Sequence, residues 1–147
     1  LNKKRNYEIE IKPMINIEQN SFIDHSKLAL YKNLKVNNFL TLKKYLNIYK
    51  PKLVIVGHYS TPLYDVIDLD CDIFLLNETV IKLSLSAKNK LKKRVFIFDS
   101  IKDLKKAIED YDPKKIKKLR NNSFSLSYVN EGHLDNSLEK IIRKKIN

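Results

Sequence analysis

Glycine is scarce in this 147-residue chain: there are two, Gly57 and Gly132, against a usual share of about 7%. Two glycines so far apart cannot write a G-x-G-x-x-G turn or a G-x-x-x-x-G-K-[S/T] loop. A dinucleotide fingerprint and a Walker-type phosphate loop are therefore excluded. The single cysteine, Cys71, cannot close an intrachain disulfide and fits a reducing compartment. It stands beside an apolar run and reads as a small core residue rather than a nucleophile. With one cysteine and three scattered histidines, His25, His58 and His133, no zinc-ligand spacing can be assembled and no metal is expected. No run approaches the roughly 18 apolar residues of a membrane span, and no signal-peptide core opens the chain. Acidic residues are also short, 17 against 29 lysines and arginines, which leaves a net charge of +12.

What is present is enough for a core. At 43% hydrophobic and 31% charged residues the chain is not disordered by composition. The length is that of one domain, residues 1–147. The first residue is Leu1 and not Met, so the chain reads as a piece of something longer. Lysine is spread along the whole sequence, so the charge describes a solvated surface as well as it describes an anionic partner.

Apolar runs of strand length alternate with stretches of helical period, the pattern of a βαβ protein. Residues 7–11 alternate with period two and stop at Lys12-Pro13. Residues 22–31 read as a helix and 33–36 as a short strand. Residues 41–49 place Leu42, Tyr45, Leu46 and Tyr49 on one helical face, with Thr41 or Asn38 near the start and Pro51 past the end. Leu53-Val54-Ile55-Val56 reads as a central parallel strand buried on both faces. A turn follows, and Pro62 suits the first position of a helix, with Thr61 as its cap. Residues 72–76 and 94–98 are further strands, 80–92 and the stretch from Ile101 are helices, and Asp99-Ser100 caps the latter. From Pro113 on the chain reads as mostly helical, with Leu134, Leu138, Ile141 and Ile142 as its last apolar stripe. The expected fold is a Rossmann-like three-layer α/β/α domain with a mostly parallel sheet of about five strands.

In such sheets ligands bind outside the carboxyl ends of the strands, where strand order reverses. Three exits carry chemistry: Lys12-Pro13, residues 57–61, and Asn77-Glu78-Thr79. Gly57 suits a sharp turn out of its strand. Ser60 and Thr61 at a helix start have hydroxyls that can meet a phosphate, or that simply cap the helix. His58 is a nucleotide contact, an acid–base group or an ordinary strand-end residue, and no acid stands at a spacing that would orient it. Asp65 can meet ligand hydroxyls or favour its own helix start. Lys12 offers a cation and Asn77 a hydrogen-bonding amide. Asp68, Asp70 and Asp72 are expected to point apart. The basic stretch 112–120 fits a solvated helix or a membrane-surface contact. Nucleic acid is not expected, because the aromatics fall on core positions and not among the lysines.

Residues 9–13, Ile-Glu-Ile-Lys-Pro, together with 51–64, Pro-Lys-Leu-Val-Ile-Val-Gly-His-Tyr-Ser-Thr-Pro-Leu-Tyr, resemble the C-terminal, donor-binding half of a GT-B-fold glycosyltransferase. The likeness is strongest to bacterial sialyltransferases and polysialyltransferases of surface polysaccharide synthesis. Those enzymes carry a Lys-x-His-Pro-type motif after one strand and a Ser-Ser or Ser-Thr motif opening a helix after a later one. The resemblance implies that Ser60 and Thr61 hold the phosphate of a CMP-sugar donor, a substrate and not a cofactor. Gly57 and His58 would line the same pocket, Lys12 and Pro13 would flank the nucleotide, and Asn77 would be a further contact. Where the family has His-Pro, this chain has Met14-Ile15, and the family's catalytic acid belongs to an N-terminal acceptor domain outside these residues. The catalytic residue is thus unassigned, and the chain alone is expected to bind donor without transferring sugar, at the cytoplasmic face of the membrane. A weaker resemblance to the CDP-glycerol glycerophosphotransferases of teichoic acid synthesis keeps the phosphate pocket and changes the donor. A non-catalytic α/β binding domain is the reading from a different class.

Overall fold

The computed structural model describes residues 8–11, 34–36, 40–77 and 83–128 of the chain. The expected helix at 22–31, the stretch 78–82 and everything past residue 128 lie outside these, as do Lys12 and Pro13. The protein is α/β, and it divides into two compact units, residues 1–49 and 50–147.

In the first unit, β1 (Ile9–Ile11) pairs in parallel with β2 (Leu34–Val36), Ile9 opposite Leu34 and Ile11 opposite Val36. Helix α1 (Leu42–Tyr49) forms where the 3.6-residue spacing predicts it. Its start is held by the Lys44 amide donating to Thr41 Oγ1 at 3.4 Å. Leu46 is buried, and Tyr45 and Tyr49, one turn apart, stack with ring centroids 4.5 Å apart. Tyr45 donates its hydroxyl to the Glu10 carboxylate. Burial first, and then that bond to an anion, raises the phenol well above its ordinary value. The helix ends as Lys50 turns to a φ of 43° ahead of Pro51.

The second unit is built on a three-stranded parallel sheet, β3 (Leu53–Val56), β4 (Asp72–Leu76) and β5 (Phe96–Phe98), in the order β3-β4-β5. Helix α2 (Thr61–Val66) joins β3 to β4, and α3 (Leu85–Leu91) precedes β5. After β5 come α4 (Ile101–Asp110) and α5 (Ser123–Tyr128). The central strand is β4, whose first four residues are all buried. The expectation that residues 53–56 form the central strand is corrected, since among the described residues β3 is an edge of this sheet and Ile55 is 46% exposed. The register explains it. Ile55 lies opposite Phe74, on the sheet face covered by α4, and α4 packs on β4 and β5.

On that face Phe74, Leu104 and Tyr111 form the core, with Leu53, Leu76, Phe96, Phe98, Ala107, Ile108 and Ile116 around them. Phe74 meets Phe96, Phe98 and Tyr111 edge-on at 5.5, 5.1 and 5.7 Å. Each such pair adds about 0.5–1.5 kcal/mol beyond the area it buries. Ile73 and Leu75 alternate to the opposite face and are equally buried. The Ser100 cap is borne out, its Oγ accepting from the Asp103 amide at 3.1 Å, and Ser84 caps α3 in the same way at 3.2 Å. The stretch 113–120 is not helical; helix resumes only at α5. Among the described residues no helix is long and apolar enough to cross a membrane.

Candidate functional site

A parallel sheet has two unlike edges, and here they differ in chemistry. At the carboxyl edge β3 runs out into Gly57 and His58, both exposed, and half-buried Tyr59 and Ser60. Gly57 has no left-handed φ, and a Cβ placed on it would touch nothing within 4 Å. Its smallness is therefore required neither by backbone strain nor by a close protein neighbour.

The helix start differs by one residue from the expectation. Ser60, with extended φ −157° and ψ 177°, is the N-cap of α2, so Thr61 is the first helical residue and Pro62 the second. Proline fits there equally well, because amides of the first turn have no intrahelical acceptor. The Ser60 side chain does not cap the helix. Its hydroxyl instead donates to the carbonyl of His58 at 3.3 Å. Because Ser60 holds the N-cap position and Thr61 is already helical, the reading in which Thr61 caps its own helix does not hold.

Tyr59 is anchored behind this loop. Its ring meets Tyr64 edge-on at 5.8 Å and Phe124 at 6.3 Å, and its hydroxyl accepts from the Tyr64 hydroxyl at 3.0 Å. Burial, then the Tyr64 bond, raises the Tyr59 phenol well above its ordinary value. It is a neutral hydrogen-bonding group at any physiological pH. At the exit of β4, Asn77 donates through Nδ2 to Asp99 Oδ1 at 2.9 Å, while its amide donates to the Phe98 carbonyl at 2.7 Å. The β4 and β5 exits are thereby tied to each other. The structure thus places Gly57, His58, Ser60, Thr61 and Asn77 on one edge of one sheet. Within the three strands the order does not reverse, so the expected switch point is not among them.

The amino edge is built from groups the sequence reading passed over. Arg94, 3% exposed, donates from Nε to the Ile67 carbonyl at 2.7 Å and from Nη1 to the carbonyls of Cys71 at 3.0 Å and Leu119 at 3.1 Å. Its Nη2 donates to Leu69. Asp72, whose side chain is fully buried, accepts from Lys118 at 2.7 Å, Tyr111 at 2.9 Å and Arg120 at 3.1 Å. Burial by itself would raise the Asp72 carboxyl, but the bonds from Lys118, Tyr111 and Arg120 outweigh it and hold the group below its ordinary value. Asp70 and Asp72 do not point apart as expected, because both meet Arg120, the former at 2.7 Å. Asp68 does turn elsewhere, accepting from Ser125 at 2.8 Å.

The basic stretch 112–120 is consequently a strap and not a free helix. Ile116 packs in the Phe74 core, while Lys118 and Arg120 are committed to Asp72. Cys71 is buried as expected of a core residue, and burial pushes its thiol up, against the partly offsetting guanidinium of Arg94. That is the opposite of what a thiolate nucleophile needs. Among the described residues no group of three or more His, Cys, Asp or Glu could share a metal ion.

Two hollows among the described residues of the second unit stand out, and neither includes a strand exit. One of about 570 Å³ lies along α4, lined by Ile101, Lys102, Lys105, Lys106, Glu109 and Asp110. It is the open flank of a single helix, with no convergent buried polar group. The other, about 120 Å³, is at the amino edge beside Asp68, Asp70, Arg94 and Arg120, where Asp70 pairs with Arg120, Arg94 is spent on backbone carbonyls and Asp68 on Ser125. Comparison with protein-family models, with curated proteins and with solved structures returned no match to this chain.

Proposed function

We propose that the chain is the donor-binding half of a glycosyltransferase, Rossmann-like in its three-layer arrangement and sialyltransferase-like in its substrate, with a CMP-linked sugar held at the carboxyl edge of the sheet. One observation carries the proposal. The hydroxyls of Ser60 and Thr61 stand at the exit of a parallel strand and are not consumed in capping α2. Thr61 is exposed, and the Ser60 hydroxyl, whose one proton goes to the His58 carbonyl at 3.3 Å, would turn from that long bond to meet a phosphate.

In this reading Ser60 and Thr61 donate to the phosphate oxygens of the donor. Gly57 leaves space against the nucleotide, and His58 and Asn77 flank it. Transfer from a CMP-linked sugar breaks the bond between the anomeric carbon and a phosphate oxygen, so negative charge grows on the departing phosphate. Donors fixed at that oxygen stabilise the charge as it develops. The acceptor glycan and the catalytic acid would belong to a separate acceptor domain.

Titration of CMP into the full chain and into a Ser60→Ala/Thr61→Ala variant tests this. Loss of two hydrogen bonds to an anion is expected to weaken binding by at least about tenfold. Equal affinity in both proteins would remove the phosphate role. CDP-glycerol displacing CMP at lower concentration than a CMP-sugar would move the donor to the glycerophosphotransferase class. A second reading, a binding domain without transferase chemistry, is favoured by Met14-Ile15 standing where the resemblance calls for His-Pro. It keeps the CMP site and predicts no transfer even when an acceptor domain is supplied.

A further inference from the structure

The face formed by α3 and α5 combines lysines with exposed apolar side chains. Residues 83–95 contain Lys88, Lys90, Lys92, Lys93 and the buried Arg94 without a single acid, and residues 121–128 carry no charge at all. The two helices pack on each other. Lys90 joins them, donating to Ser127 Oγ at 2.7 Å while its ammonium lies 5.3 Å from the centroid of the Tyr128 ring. Large apolar side chains stand out among these lysines: Leu85 is 75% exposed, Leu126 49% and Tyr128 45%. Leu85 precedes buried Ala87 by two positions, and Leu126 follows buried Phe124 by two. At about 100° per residue, each leucine is turned to the side of its helix away from the core.

We infer that the α3–α5 face docks on an anionic lipid bilayer. Lysines flanking exposed leucines and a tyrosine match the three depths of a membrane interface. Cations meet the phosphate headgroups, a phenol lies at headgroup level, and aliphatic chains reach the acyl boundary. Each lysine near such a surface strengthens partition by about fivefold. A single-stranded nucleic acid uses the lysines less well. The two leucines offer nothing to a base, and Lys90 already lies over the Tyr128 ring that would stack one. The basic stretch 112–120, which the sequence offered for this contact, has Lys118 and Arg120 committed to Asp72. The inference stands independently of the donor-site proposal, since it uses none of that site's residues.

The test is co-sedimentation of the full chain with phosphatidylcholine vesicles that do or do not contain phosphatidylglycerol. Binding is expected on the anionic vesicles and at least about tenfold weaker on the neutral ones. Lys92→Glu/Lys93→Glu is expected to abolish it. Lys102→Glu/Lys105→Glu on α4 makes the same change in net charge and is expected to retain most of it. Leu85→Ser/Leu126→Ser, with all charges kept, is expected to weaken binding by about tenfold or more. All six positions are exposed, and thermal unfolding checks that each variant is folded. An equal loss in the two lysine pairs reduces the effect to net charge and overturns the inference. So does a leucine pair without effect. Binding of a thymidine oligonucleotide in the absence of any vesicle binding overturns it in favour of a general polyanion surface.

Discussion

The two edges of the three-stranded sheet are made from the same strands and spend their polar groups in opposite ways. At the amino edge Asp72, Arg94, Lys118 and Arg120 are satisfied by one another and by backbone carbonyls, down to a carboxylate with no exposed surface. At the carboxyl edge His58, Ser60 and Thr61 keep their polar atoms near solvent, and the one hydroxyl with a local partner reaches only a neighbouring carbonyl at 3.3 Å. A buried charge must be paired or it costs several kcal/mol, so the amino edge is a structural closure. An exposed hydroxyl costs nothing when left open, so the carboxyl edge is where a ligand can be met. Density of charge and open hydroxyls are thus separated by one strand length.

Breaking the closure gives the largest expected effect. Asp72→Ala removes three hydrogen bonds to a buried carboxylate, leaving partly exposed Lys118 and Arg120, the latter still paired with Asp70, and is expected to cost about 1.5–3 kcal/mol in urea denaturation. Arg94→Met, which unbinds four carbonyls, comes next and is also expected to loosen the strap at Leu119, seen as faster amide exchange there.

The acid dependence follows in size. Because the folded Asp72 carboxyl is lower than its ordinary 3.8, the stability it contributes is complete above that ordinary value. It is lost as pH falls through the folded value. Asp72→Asn should therefore lower stability at neutral pH and flatten the decline on the acid side. An unchanged acid limb would mean the network carries little of the fold.

The helix starts give the finest contrast. Ser100→Ala removes a working cap and should cost about 1 kcal/mol. Ser60→Ala removes a hydroxyl that caps nothing and should stay within about 0.5 kcal/mol. Comparable losses at the two serines would show that Ser60 is structural.

Much of the second unit was legible because its strands are short apolar runs with turn residues between them. Val54, Ile73 and Ile97 all lie in strands where the runs placed them. A four-residue apolar run does not reveal whether its strand is central or at an edge, which is why β3 was misplaced and Ile55 is exposed. The cap at Ser60 was read one residue late because Pro62 satisfies either of the first two helical positions.

The amino-edge network was not legible because its partners are distant in the chain. Arg120 meets Asp72 across 48 residues and Arg94 meets Cys71 across 23. In so lysine-rich a sequence nothing marks which cations are buried. One signal was there: Asp72 directly precedes Ile-Phe-Leu-Leu and Arg94 directly precedes Val-Phe-Ile-Phe. At these two strands the charge is buried and so must be paired, whereas Lys52, ahead of the edge strand Leu-Val-Ile-Val, stays exposed.

The separation of the two edges is tested most directly by following the amide resonances of the isotope-labelled full chain as CMP is added. The account predicts that the largest changes fall at Gly57, His58, Tyr59, Ser60, Thr61 and Asn77, with residues 67–72, 94 and 118–122 unmoved. Changes centred instead on Asp68, Asp70, Arg94 and Arg120, around the small amino-edge hollow, or no change at saturating CMP, would contradict it.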